Sequence, residues 1–552
     1  MNRFKNILIL GAGWLLLVHC GAGDLADARA PRIVNIYNFV RNSDYRLADS
    51  EEVLCETTRK QIQLIKPTGL PVTWALQYDA LINPRYQKLF KEQLGTNDEI
   101  AAWWEIPRPL TEKAGLKWRG HQHEWDSTAN VGFSPGYTPV ERRKLVDVYM
   151  ADFKAIFGYY PRTVGSWFID EVTLEYMAER YGIVASCNCK DQVGTDGYTL
   201  WGGYWNQAYY PSRLNAYMPA QTRAGQINVP IFRMLGSDPI YQHGATPGMW
   251  TLEPVYPRAG GSPDWVGWFM KQLIHQPSLA FGYTQAGQEN AFGWEAMKTG
   301  LTMQIALLAR QAKAGEIRVE TLAQSGQWFR GHFSLTPPTS VVALDDWKHQ
   351  NRKTVWYNSR FYRINFLWQD GGFFIRDLHR FDENVISPTH DTALINTFLE
   401  YGTLSVMDGA RWSGTEKAGI WPVLLSTNGE SLPMAPDGPP VVQELSSTDL
   451  SITQPLRGGG TFTMVCQESN VTCTGVDGQG QPLSWAWDMV GGAQQRSAVQ
   501  TVTPNSITYH YTEMNYQLRL SPGVGSCQQL RNGSIRLHPN SSGNLGLMLS
   551  GF

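Results

Sequence analysis

GYTPVERRKLVDVYMADFKAIFGYYPRTVGSWFIDEVTLEYMAERYGI, residues 136–183, contains a complete helix–strand–helix alternation. Thr138 is placed to cap a helix, Pro139 suits its first position, and Glu141 completes a capping box. Leu145, Tyr149, Phe153 and Ile156 then share one face, and Gly158 supplies the stop. Thr163 to Ile169 reads as a strand, a short helix ends at Gly182, and Ile183 to Ser186 reads as the next strand.

The same alternation extends towards the amino end. Ile33 to Phe39 is strand-like, Ser50 to Lys66 carries Val53, Ile62 and Ile65 at helical spacing, and Val72 to Leu76 is strand-like again. Repeated βαβ units imply parallel strands with helices outside. Over so long a stretch a closed sheet is more economical than an open one, so the expected fold class is α/β. It consists of a distorted (β/α) barrel over residues 31–330, with functional residues at the carboxyl ends of its strands. Composition changes later: no lysine follows Lys417, and Gly, Ser, Thr and Gln separate short alternating runs such as Thr461 to Val465 and Ser534 to Leu537. With the hairpin-like Trp356 to Trp368 and Gly372 to Asp377, this predicts an antiparallel β-sandwich accessory domain over 335–552.

Among 552 residues, 47 Lys+Arg stand against 49 Asp+Glu, a formal charge of -2, so there is no basic footprint for nucleic acid. The 21 Trp, 24 Tyr and 21 Phe exclude disorder and coiled coil. Arg3 and Lys5 before the apolar run Ile7 to Val18, and the small-residue site Ala28-Arg29-Ala30, mark residues 1–30 as a signal peptide. The expected location is periplasmic or secreted. Leu17 to Cys20 is lipoprotein-like, but His19 stands where a small residue belongs, so anchoring through Cys20 is the lesser expectation. No later stretch is long and apolar enough for a transmembrane segment. Six cysteines follow the leader, with Cys466 and Cys473 the best placed to pair. Cys187-Asn188-Cys189 is too isolated to argue for zinc.

The 136–183 stretch resembles the barrel superfamily of NodB-type polysaccharide deacetylases and glycoside hydrolase family 57. There a helix running into "fG-x-x-P" precedes a strand and then "l-x-x-x-G-i". The whole chain also resembles two-domain proteins of gut Bacteroidetes, a barrel followed by a β domain. The deacetylase branch implies a metal held by an Asp-Asp motif on the first strand and a His-x-x-x-His motif on the third. Here the first strand reads Ile36-Tyr37-Asn38-Phe39, and the run Glu99 to Glu105 stands where the histidines should begin. His121, His123 and Asp126 follow later and form the ligand set of a metal-dependent alternative. The hydrolase branch implies a nucleophile at the end of "W-x-x-E"; Trp167-Phe168-Ile169-Asp170 offers Asp170, which also suits a helix N-cap.

Glycoside hydrolysis needs a second carboxylate across the scissile bond. Asp238 follows the strand-like Val229 to Leu235, and Glu289 follows Leu279 to Tyr283, with Glu253 a further acid. Asp-Pro turn chemistry at Asp238 and a helix start at Glu289 are the structural alternatives. Glu105, His121, His123, Trp167, Trp201, Tyr204, Glu253 and Trp294 are the candidate sugar-binding residues, because flat rings interleaved with polar groups suit a sugar. Arg376-Asp377-Leu378-His379 suggests a structural ion pair between domains. The expected protein is therefore an exported glycoside hydrolase acting on an oligo- or polysaccharide without cofactor or metal. A metal-dependent deacetylase and a non-catalytic glycan-binding protein are the alternatives.

Overall fold

The computed structural model describes residues 30–246, 248–427 and 430–551. The expected signal peptide, residues 1–30, lies outside the described residues except for Ala30. Seven parallel strands form the first sheet: β1 (Arg32–Val40), β2 (Thr73–Leu76), β3 (Glu99–Trp103), β4 (Thr163–Gly165), β5 (Ala185–Asn188), β6 (Ile231–Arg233) and β7 (Gly282–Ala286). Their spatial order is β7-β1-β2-β3-β4-β5-β6, with Ala208–Tyr209 antiparallel on the β6 edge and Arg318–Glu320 beside the amino half of β1. No ladder joins β6 to β7 among the described residues. Instead Phe232 and Tyr283 meet across the seam with ring centroids 4.9 Å apart. The barrel is thus nearly closed.

Strand alternation divides two cores. On β1, Ile33, Tyr37 and Phe39 face the lumen with Trp103, Cys187 and Tyr283, while Val34, Ile36 and Val40 pack under the surrounding helices. Helix α1 (Ser50–Ile65) follows β1, and α2 (Pro139–Phe157) follows β3. Thr138 and Glu141 form the expected capping box, and Gly158 takes the left-handed φ of 87° that ends α2. Helix α3 (Glu171–Tyr181) follows β4, and Gly182 closes it with φ 76°. Three further helices, α4 (Pro263–His275), α5 (Trp294–Lys313) and α6 (Leu322–His332), join the outer layer, as does the helix Pro84–Gln93 after β2.

From Thr339 onward the chain builds two antiparallel sheets around one core, in which Phe366, Trp487 and Ile420 of one meet Phe462, Leu518 and Leu547 of the other. The predicted sandwich is present, and its first strands form a meander (Lys353–Asn358, Tyr362–Gln369, Gly372–Arg380) rather than a single hairpin. Cys466 and Cys473 are free, as are all six described cysteines. The hairpin register sets Cys473 opposite Met464 and Cys466 opposite Val471, so the expected disulfide is not formed.

A long arm leaves the sandwich sheet and crosses the barrel. The Ser387 N–H donates to Leu214 O, and the Leu394 N–H to Pro135 O. Leu399–Glu400 then adds a parallel strand to Tyr198–Thr199, which belongs to a hairpin following β5. Rings join the two halves as well: Trp205 and Trp356 stack with centroids 3.9 Å apart and planes 1° apart. No described helix is long and apolar enough to cross a membrane.

Candidate active site at the barrel mouth

The carboxyl ends of β1, β3 and β7 bring Arg41, Glu105 and Glu289 together. Arg41 donates through Nε and Nη2 to the two oxygens of Glu105, at 2.9 and 2.8 Å. Its Nη1 lies 2.9 Å from Glu289 Oε2, but that contact is not aligned as a hydrogen bond, and Oε2 has no other partner. The guanidinium therefore serves Glu105 fully and Glu289 only by charge. Burial pushes the Glu289 carboxyl up to about 7, against the pull of Arg41 and Arg46, with Glu105 and Glu253 adding to the rise. Glu253 is also buried at the mouth. Burial raises its pKa, while its oxygens accept from Thr251 Oγ1 at 2.8 Å and Gln288 Nε2 at 3.4 Å.

Aromatic rings wall this group. Phe39 stacks on Trp103 at 4.0 Å, Trp167 meets both edge-on, and Arg41 lies 4.3 Å above Trp125. The exposed Tyr45 stacks beside Trp125 and reaches His123, at centroid distances of 5.6 and 5.8 Å. The buried indole N–H groups of Trp103 and Trp125 and the Gln288 side-chain oxygen have no protein partner among the described residues. Buried polar atoms left open beside acids suit a ligand with hydroxyl groups.

Two expected catalytic residues lie elsewhere. Asp170 is fully buried as the N-cap of α3, accepting from the Thr173 N–H at 2.9 Å, Thr173 Oγ1, Ser134 Oγ and Arg142 Nη1. Burial alone would raise its pKa, but Arg142 and these hydrogen bonds hold it low. Asp238 accepts from the Ile240 and Tyr241 N–H groups through one oxygen and from the Trp265 and Trp347 indoles through the other. Each carboxylate is saturated by its own four donors, and the two share no neighbour, so the fold does not present Asp170 and Asp238 as a pair across a substrate. Two supposed sugar platforms also move. Trp201 donates to Asp408 and Tyr204 to Pro337 O, which places both in the interface with the sandwich, beside the stack of Trp205 on Trp356. Trp294 opens α5 and packs partly buried against the outer core.

The metal ligand set expected of the alternative does not converge. His121 Nδ1 approaches Asp126 at 3.5 Å, but His121 and His123 are exposed and gather no third ligand. Neither do the deacetylase positions fit a metal, since β1 offers Tyr37, Asn38 and Phe39 and the cation beside Glu105 is the Arg41 guanidinium. Among the described residues, Asp377, His379 and Asp408 are the one group of potential ligands within 4.8 Å of one another. They lie between the domains. Arg363 pairs with Asp377 and His243 hydrogen-bonds to it, and the Trp201 indole and the Ala410 and Arg411 N–H groups hold Asp408. The expected ion pair between domains takes another form: Asp377 pairs with Arg363 of its own sheet, while Arg376 crosses to the Pro239 and Ile240 carbonyls.

Arg41 escaped sequence reasoning although it stands just past the predicted first strand, where a barrel places functional groups. Lys190 and Tyr256 escaped too; Lys190 earns its place through the distant Glu253, and Tyr256 through Glu253 and Glu289 together.

In overall shape the chain matches a candidate glycoside hydrolase/deacetylase from Parabacteroides distasonis, with a TM-score of 0.50 and 15% identity over 67% of this chain and 90% of that one. The two share a fold. A candidate polysaccharide deacetylase from Mycobacterium smegmatis (TM-score 0.35, 12% identity, 56% and 94% covered) and a family 57 branching enzyme from Thermococcus kodakaraensis (0.27, 10%, 55% and 71%) are more distant. No protein-family model and no curated protein matches the sequence.

Proposed function

We propose that the protein is an exported carbohydrate-active enzyme that hydrolyses a glycosidic bond with Glu289 as acid and Glu253 as its partner carboxylate. The observation that carries this is the raised Glu289 carboxyl, held near 7 at the mouth of a barrel whose neighbouring acid is a second buried carboxylate. A proton donor needs a pKa close to the working pH so that it is protonated yet able to give its proton up. Glu289 protonates the leaving oxygen, while Glu253 attacks the anomeric carbon or activates water there. Arg41, locked on Glu105, orients Glu289 without stripping its proton. Phe39, Trp103, Trp125 and Trp167 supply apolar faces for sugar rings, with the exposed Tyr45 and His123 at the rim.

The test is release of reducing ends and of acetate from a panel of plain and acetylated polysaccharides. Reducing ends should appear, and Glu289→Gln should lower kcat by about 10²–10⁴-fold. Full activity in both Glu289→Gln and Glu253→Gln would remove the assignment, and release of acetate alone would replace it with deacetylation.

A further inference from the structure

Beside the mouth stand two buried cations that lack the acceptors their burial calls for. Lys190, two residues past β5, is the one buried lysine among the described residues. It forms no ion pair with a described carboxylate, and its ammonium donates to the Asp191 carbonyl alone, at 3.4 Å. Arg233 ends the adjacent strand β6. Its Nη2 reaches Asp191 at 2.7 Å, while its buried Nε and Nη1 have no partner.

The local carboxylates are already committed. Asp191 serves Arg233 and Arg363 together and also accepts from the Tyr217 hydroxyl and the Gly202 N–H. Glu253 is close enough to interact with the Lys190 charge but spends its oxygens on Thr251 and Gln288. The Lys190 ammonium and two Arg233 donors are thus left short of acceptors in a water-poor place, which is costly unless a ligand supplies them. Burial accordingly pushes the Lys190 ammonium down, against Cys189, Glu253 and Asp191. An arginine fork with free donors beside a lysine matches an oxyanion geometrically. The hairpin that follows these residues (Gln192–Thr195 and Tyr198–Leu200) has an exposed turn at Gly194–Asp196, so a single hairpin separates the cations from solvent.

We propose that Lys190 and Arg233 form an oxyanion subsite for an acidic sugar, one carrying a carboxylate as in a uronic acid or a sulfate ester. The subsite adjoins Glu253 and so deepens the hydrolase proposal: it rests on that reading for the claim that the recognised sugar belongs to the cleaved glycan. Sugar recognition itself is separable from cleavage.

The experiment is binding to the full chain, followed by tryptophan fluorescence, of glucuronate, glucose 6-sulfate and glucose. At least one charged sugar should bind about tenfold or more tighter than glucose. Which of the two does so identifies carboxylate or sulfate. Lys190→Met should abolish the preference, and Lys190→Arg should restore part of it. A merely structural lysine would change the melting temperature without touching the ratio. Equal binding of all three sugars, binding of neither charged sugar, or an unchanged preference in Lys190→Met would overturn the subsite. The wild-type comparison decides the matter even where the Met variant does not fold. Charged-sugar preference in a protein that cleaves nothing would retire the hydrolase reading alone; cleavage of neutral glycans without preference would retire the subsite alone.

Discussion

Glu289 keeps its proton towards neutrality because its carboxyl is buried and its nearest guanidinium is engaged elsewhere. The native group titrates at about 7 against an ordinary 4.5, so between those values the folded protein holds the proton and the unfolded chain releases it. Stability from this group is therefore fully present below pH 4.5 and falls as pH rises through 7, by about 3 kcal/mol at most. Melting curves from pH 4 to 8 should show Glu289→Gln gaining on the wild type as pH rises, with the gap complete by about pH 8. Parallel curves would mean an unshifted carboxyl. Asp170 behaves in the opposite sense. Its carboxylate is held low, so it stabilises above its unfolded value and loses that contribution only in strong acid. Asp170→Asn leaves the buried Arg142 without its counter-charge and should cost about 3–5 kcal/mol in urea unfolding. A nucleophile in that position would give the contrary result, lost activity at unchanged stability.

Elements whose signals are local were legible in the sequence. The α2 capping box needs only Thr138 and Glu141, three residues apart, and both hydrogen bonds form. Thr138→Ala should destabilise the protein by about 1 kcal/mol, read as a shift of denaturation midpoint with unchanged slope. Signals of distant origin misled. The apolar run Leu279 to Tyr283 suggests a strand, yet β7 starts only at Gly282, because Leu279 takes a left-handed φ of 57° and bridges to Thr339 of the sandwich. Thr163 to Ile169 is likewise regular strand only as far as Gly165, with Ser166 and Trp167 still bonded to Cys187 and Cys189; Trp167 and Phe168 pack onto the lumen cluster. The site itself was half legible. Glu289, Glu105 and Trp167 sit at the mouth as strand-end positions should, and Glu253 reaches it from a loop, whereas Asp170 and Asp238 are set by Arg142 and Trp347, which no spacing rule connects to them.

At the scale of the whole molecule, barrel and sandwich are interlocked. Trp205 stacks on Trp356, Arg363 pairs with Asp191, and Arg376 donates to Pro239 O and Ile240 O. Such a buried, charged interface argues against independent halves. Calorimetry should give one transition for the full chain, and residues 30–333 expressed alone should melt at least 10 °C lower or not fold, what losing about 5 kcal/mol or more implies. Two separate transitions would refute the coupling. The crossing arm has a temporal consequence. Leu399–Glu400 pairs with Tyr198–Thr199, the hairpin beside Lys190, so the lip of the mouth is completed by residues some two hundred positions downstream. At about 5–20 residues per second on the ribosome, that lip waits for roughly 10–40 s after its own synthesis. The nascent barrel emerges with its mouth unfinished, and the finished surface exists only once the second half of the chain has been delivered.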